Sequence, residues 1–513
     1  MLRILNSQTR QKEEFKPLSA ARVTIYTCGP TVYDSLHLGH ARAAITPDVV
    51  RRYLEYKGQQ VRYVTNFTDV DDKIIKRANA EGRDWREIAA TYIDEFHRLM
   101  LALNVKPADA YPRATDHIPE MLEIVGRLLE KKHAYIAADG DVYFDTSSYA
   151  RYGGLSGRNL DEEEAGISGR VTQARLAVKK NPGDFVLWKL NKNDKEEIAR
   201  GGDKVPRWPS PWGDGRPGWH LECSAMSRKY LRVPFDIHCG GQDLLFPHHE
   251  DEKAQTECAY AEELGGKESV RYWIHNAFVT VKARPEDQGL AADLVDAQSG
   301  SVKMSKSLGN VKWLREMIWP DGPYDPMAVR MLLLSSHYRS PIVFEPAMLD
   351  EATARLERIY SALERNAEVL GGRVSRIPNS GLLSAWEDKF DKEMDDDFNT
   401  AGALGVLFDV VNTMNLRLLA NVDPISPQHV GELKMLAGFV AARLSILGIR
   451  PHRAKAGGAG DSERLVDLLL QARQEARKAK LFALGDKIRS DLKALGYEIE
   501  DLPSGKWAVK RNF

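Results

Sequence analysis

The sequence predicts an α/β protein built on a doubly wound parallel sheet, interrupted by an inserted subdomain and followed by a helical region and a small mixed α/β segment. Three observations carry this. Residues 22–81 read as strand, helix, strand, helix; an α/β pattern resumes at FDIHCGG (235–241); and beyond Val311 the apolar spacing is almost purely helical.

Taken in order, RVTIYTC (22–28) alternates and is β-branched, a strand closed by Gly29-Pro30. In TPDVVRRYLEYKG, Thr46 is the expected N-cap, Pro47 the first helical residue and Gly58 the stop. QQVRYVTNF is a second strand and DVDDKIIKRANAEG a second helix, completing a βαβ unit. Such sheets bind ligands where the carboxyl ends of strands meet helix N-termini. Helical periodicity runs to about Lys132. From His133 to Lys204 short strands (YIAADGDVYF) and an acidic run, Asp161 to Glu164, mark an insertion. Leu349, Ala352, Leu356, Ile359 and Leu363 form one apolar helix face, and two more helices cover about Thr400–Ala420 and Gln428–Leu447. PHRAKAGGAGDS is a linker, and the last segment is a basic helix followed by the strands YEIED and KWAVKR. The boundaries so drawn are 1–132, 133–204, 205–316, 317–450 and 463–513.

A chain of 513 residues has room for about three domains. Its 43% hydrophobic and 28% charged residues exclude a disordered or fibrous class. With 72 Lys and Arg against 73 Asp and Glu there is no overall basic coat, so a nucleic-acid partner must be held by local patches. One stands at Gln471–Phe513, with ten Lys and Arg against six Asp and Glu. The four cysteines, Cys28, Cys223, Cys239 and Cys258, are too few and too scattered for a disulfide framework, so a reducing cytosol is expected. The first residues lack a leader pattern, and no uninterrupted apolar run approaches the roughly 18 residues of a membrane span. A soluble, cytoplasmic monomer that avoids membranes is the expectation.

Two strings could carry chemistry. His37-Leu38-Gly39-His40 places two imidazoles one turn apart around a glycine, a phosphate-donor arrangement, though it reads equally as two surface histidines. Lys303-Met304-Ser305-Lys306-Ser307 is a cationic loop suited to a polyphosphate, or a solvated basic loop. Together, HxGH early and KMSKS late resemble the paired signatures of class I aminoacyl-tRNA synthetases. TCGPTVYD (27–34), TDVDDKI (68–74), PGWHLECSAM (217–226), GGQDLLFPHHEDE (240–252), QKEEFKP (11–17) and DDDFNT (395–400) are similar to the cysteinyl-tRNA synthetases in particular, over essentially the whole chain.

The resemblance implies a Rossmann-like catalytic domain split by a connective insertion, a helical tRNA-binding domain and an anticodon-binding C-terminal domain. It implies that L-cysteine is activated with ATP and Mg²⁺ to cysteinyl-adenylate and then passed to the 3′ end of tRNA(Cys). His37, His40, Lys303 and Lys306 would be catalytic, with His37, Gly39, His40 and Lys306 on ATP. One Zn²⁺ would be held by Cys28, Cys223, His248 and Glu252, and cysteine contacted by Cys28, Thr68, Trp219 and Asp243. Spacing alone does not reveal that metal set: the two cysteines read as buried thiols and Trp219 as a core indole just as well. Cys239 and Cys258 are assigned to the core, and His249 and Glu250 to supporting roles. The small insertion is not expected to hydrolyse mischarged products. A ligase of the same lineage that joins cysteine to an amino-sugar inositol would share these sites, but needs neither the long helical region nor the basic C-terminus. One departure from the family pattern is KARPEDQGLAADLVDAQSGS (282–301), longer than the hairpin expected before KMSKS.

Overall fold

The computed structural model describes residues 1–158, 178–190, 205–284, 295, 300–304, 308–318, 322–371, 380–420, 426–452, 469–470, 472–473, 476–477, 481–494, 497–501 and 507–511. The chain divides into two compact units, Met1–Pro451 and His452–Phe513.

In the first unit a hairpin of β1 (Arg3–Asn6) and β2 (Gln11–Glu14) precedes β3 (Val23–Thr27), α1 (Leu38–Tyr56) and β4 (Val61–Thr65). Then follow α2 (Asp72–Glu81), α3 (Trp85–Ala102) and α4 (Ile118–Glu130). Strands β5 (Ala134–Ile136), β6 (Val142–Phe144), β7 (Phe185–Leu190) and β8 (Gly215–Pro217) form a separate antiparallel sheet. Because β8 pairs with β7, the inserted sheet reaches Pro217, past the position 204 that composition suggested. Helix α5 (Trp219–Leu231), β9 (Phe235–Gly241), α6 (Glu250–Ala259) and β10 (Val270–Asn276) complete the central layer.

The central sheet has the order β10-β9-β3-β4, every pair parallel. The chain leaves β3 for β4 on one side and later returns to β9 on the other. The order therefore reverses between β3 and β9, and a doubly wound sheet opens its binding crevice at the carboxyl ends of those strands. Buried apolar residues such as Val23, Ile25, Val64, Ile237 and Ile274 seat the sheet under its helices.

Helix α1 begins at Leu38, not at Thr46. The His37 ring accepts the Gly39 N–H and the His40 ring accepts the His37 N–H, closing a capping box well ahead of the expected start. Pro47 then lies inside the helix, and the Thr46 hydroxyl donates to the Arg42 carbonyl one turn back rather than capping an end.

Beyond the central sheet, β11 (Val279–Val281), β12 (Val302–Lys303) and β13 (Ile342–Phe344) make a small sheet in the order β12-β11-β13. Helices α7 (Leu314–Ile318), α8 (Pro326–Leu334), α9 (Ala347–Leu370), α10 (Ser384–Asp395), α11 (Thr400–Ala420) and α12 (Pro427–Ile446) build the helical region. By length and mean hydropathy, 1.2, the segment Thr400–Leu419 could cross a membrane. Here it packs against α9, α10 and α12 and buries Leu404, Leu407, Val411 and Met414 as a bundle helix. The second unit holds α13 (Phe482–Ala494) and the antiparallel hairpin of β14 (Tyr497–Asp501) and β15 (Trp507–Arg511), with Leu470, Leu492 and Ile499 buried together.

Candidate metal centre and nucleotide cleft

Three elements converge at the reversal point. β3 ends one residue before Cys28, whose turn is pinned by the Gly29 N–H donating to Asn66 Oδ1 at 2.9 Å. Only glycine fits there, since a Cβ would sit 1.6 Å from the Asn66 carbonyl oxygen. Helix α5 carries Cys223, which is fully buried. A kink at Phe246 (φ −140°, ψ 133°) breaks the turn after β9 and aims His248 into the same space, ahead of α6 with Glu252.

The ligating atoms of Cys28, Cys223, His248 and Glu252 all lie within 4.8 Å of one another. Cys28 Sγ is 3.5 Å from Cys223 Sγ and 3.2 Å from Glu252 Oε1, which is itself 2.9 Å from His248 Nε2. Two sulfurs, an imidazole and a carboxylate in one buried cluster are a donor set that fits a borderline-soft divalent ion. A second grouping, Cys28, His238, His249 and Glu252, shares two of these residues. Of its histidines, His238 Nε2 meets the other oxygen of the shared Glu252, Oε2, at 3.0 Å, and His249 Nδ1 meets His275 Nε2 at 2.8 Å. They buttress the cluster from behind, as outer partners of ligands do.

The electrostatics of the cluster are split. Burial, then the neighbouring Cys223 and Glu252, push the Cys28 thiol well above its usual range. Burial also opposes ionisation of Cys223, but hydrogen bonding from Cys28 and the His248 imidazolium outweigh it and bring that thiol to about 6. For His248, burial is overcome by Glu252 and Cys223, which raise it to about 10. Glu252, despite burial, is held well below the carboxylate range by His238 and His248.

The remaining pocket residues are spread around this core. The half-buried Trp219 stacks on His248 with ring centroids 4.2 Å apart. His220 Nδ1 is 2.9 Å from His248 Nδ1. Thr68 is buried between the Cys28 turn and α5, with its N–H donating to the Pro30 carbonyl and its hydroxyl donating to Glu222 Oε2 at 2.8 Å. Asp243, in the turn after β9, faces Lys303, His248 and Lys73. Sequence reasoning missed His220 and His238. For His238 the available signal was an imidazole within the strand FDIHCGG, where a buried ring needs a polar partner.

The HLGH string forms the other wall. With both Nδ1 atoms accepting backbone N–H groups, the tautomer that fits leaves Nε2 of His37 and His40 carrying the proton. The two rings lie 3.8 Å apart at the positive end of α1. The chain following KMSKS is tied to this string: Leu38 N–H donates to the Lys312 carbonyl at 3.1 Å and Leu314 N–H to the Leu36 carbonyl at 2.9 Å. Lys303 lies on β12 with its ammonium 4.4 Å from the Phe278 ring centroid. Lys306 lies outside the described residues. Of the long 282–301 segment, Val295 bridges to Val302 of β12 and Arg284 donates to the Leu308 carbonyl just past KMSKS.

Residues 14–354 match the family described as tRNA synthetases class I (C) catalytic domain, and residues 389–449 match the DALR domain. The chain is 43% identical to the cysteine–tRNA ligase of Thermococcus onnurineus, with 98% of each chain covered. It is also 43% identical to that of Methylococcus capsulatus, covering 98% of this chain and 99% of the relative. Among solved structures, Mycobacterium tuberculosis methionyl-tRNA synthetase in complex with methionyl-adenylate aligns with a TM-score of 0.57 at 16% identity, over 88% of this chain and 94% of that one, a likeness of fold.

Proposed function

The chain belongs to the cysteine–tRNA ligase family, and from that premise we propose that Cys28, Cys223, His248 and Glu252 hold one zinc ion that reads the sulfur of the substrate. The enzyme is an ATP-dependent ligase that aminoacylates tRNA(Cys) with cysteine. The observation that carries the zinc assignment is the four-donor cluster, buried at the sheet's reversal point. When bound, zinc supplies a site that ionises and grips a thiol, which serine's hydroxyl cannot match. Without it, an apolar pocket separates such near-isosteres by only about 1–3 kcal/mol.

In the reaction the cysteine carboxylate attacks the α-phosphorus of ATP and pyrophosphate leaves, so no protein nucleophile is required. His37 and His40 donate their Nε2 protons to phosphate oxygens, Gly39 keeps that approach open, and the α1 N-terminus adds its positive field. Lys303 and Lys306 neutralise the charge that builds on the leaving group, alongside Mg²⁺. Trp219 closes over the substrate side chain from its stack on His248. Thr68 and Asp243 contact the amino acid, Asp243 receiving its ammonium. A ribose hydroxyl of the tRNA 3′ end then attacks the adenylate. The helical region positions tRNA, and the basic C-terminal unit reads the anticodon. We place the enzyme in the cytoplasm as a monomer; its four free thiols support a reducing compartment.

Metal analysis combined with pyrophosphate exchange tests the reading. One zinc per chain and strong preference for cysteine over serine are expected, and an active metal-free preparation would refute it. Lys306→Ala should lower the activation rate far more than cysteine affinity, and a loss confined to affinity would contradict its role on the leaving phosphates.

A further inference from the structure

Tyr26 lies on β3, two residues before Cys28. It is fully buried, and its hydroxyl is a buried polar atom without a well-formed hydrogen bond. Across the strand pair it meets His238 edge-on, ring centroids 5.3 Å apart, while α5 packs on β3 with Cys223. The groups facing its hydroxyl are Cys223, Cys28 and Glu252. A residue needed only to fill the core would be phenylalanine, because a buried hydroxyl left unpaired is destabilising.

Cys223 accepts from Cys28 Sγ at 3.5 Å, a donor that is lost once both sulfurs are thiolates on one ion. Its sulfur lies 3.6 Å from Asn66 Oδ1, and that oxygen is held in place by the Gly29 N–H, so Asn66 presents an acceptor to it. When a divalent ion is bound, two thiolates and one carboxylate exceed its charge by one, before the substrate thiolate adds another. A donor to one protein sulfur draws off part of that excess.

We infer that Tyr26 is a positioning residue of the metal centre: its O–H donates to the Cys223 thiolate and so keeps the ion receptive to the substrate's sulfur. This rests on Cys223 being a metal ligand. Full-length protein loaded with Co²⁺ in place of zinc provides the test. Tyr26→Phe should move the thiolate-to-cobalt charge-transfer band to lower energy and weaken metal binding, read by chelator competition, by about 10- to 100-fold. Replacing Tyr26 with 3-fluorotyrosine, a stronger donor of nearly the same shape, should move the band the opposite way. The fluorinated residue keeps the test open even where the phenylalanine variant folds poorly. Unchanged band and affinity in the variants would overturn the inference. Absence of any thiolate charge-transfer band in the unaltered protein would instead overturn the metal assignment beneath it.

Discussion

At the scale of single residues, the protonation of the four donors dictates how the centre takes up metal. Near pH 7 the metal-free cluster holds protons on Cys28, raised far up by burial, and on His248, at about 10. Cys223, at about 6, and Glu252 are already ionised. A divalent ion needs all four deprotonated, so binding expels the protons of Cys28 and His248. Affinity should therefore climb with pH, by about two decades per pH unit between roughly 6 and 10, and more steeply below 6 where Cys223 also competes. Titration calorimetry in buffers of different ionisation enthalpy counts the protons released; a pH-independent affinity would contradict the assignment. Cys223→Ser exchanges a sulfur for a hydroxyl that does not ionise. Metal content and cysteine affinity should fall together, and stoichiometric metal in that variant would remove Cys223 from the ligand set.

At the scale of elements, the HLGH helix is anchored from below by a buried charge. Asp48 on α1 pairs with Arg330 of α8, both almost wholly inaccessible, and also accepts from Arg52 at 2.9 Å and from the Lys106 N–H at 2.9 Å. Arg330 reaches on to the carbonyls of Leu447 at 2.8 Å and Leu103 at 3.1 Å, lashing α1 to the end of the helical region. Arg330→Met strands part of that charge, and should destabilise the first unit by about 3–5 kcal/mol, read by denaturant unfolding. A change below roughly 1 kcal/mol would mean Arg52 suffices, as an exposed pair would. Most strands and helices were legible from alternation and three-to-four spacing, because those patterns record which face is buried. The start of α1 was not. Thr46-Pro47 is the strongest local cap signal, yet a reciprocal pair of histidine rings supplies the cap at His37, and histidine carries no cap preference that a sequence reading would weigh. The metal cluster was legible only through family resemblance, because its donors come from the end of a strand, two helices and a kinked turn separated by up to 224 positions.

At the scale of the whole molecule, the proposed catalytic groups and the proposed anticodon reader fall in different units. Every described member of the metal cluster and the HLGH wall falls within Met1–Pro451. Among its described residues the second unit holds α13 and the β14–β15 hairpin, with Leu470, Leu492 and Ile499 buried together, and Gln471–Phe513 carries a surplus of four positive charges. Its charge suits a phosphate backbone. A chain ending at Pro451 should keep cysteine-dependent pyrophosphate exchange near its full rate while its KM for tRNA rises. For every phosphate that the shortened chain no longer neutralises, the dependence of log KM on log salt should become shallower by about 0.7–0.9. If the surplus charges all face phosphate, the slope changes by roughly three. Measuring exchange and aminoacylation side by side over a salt series separates the two jobs. Loss of exchange in the shortened chain would show that the second unit supports the active site. An unchanged salt slope would show that its positive charge is a solvated face with no part in holding tRNA.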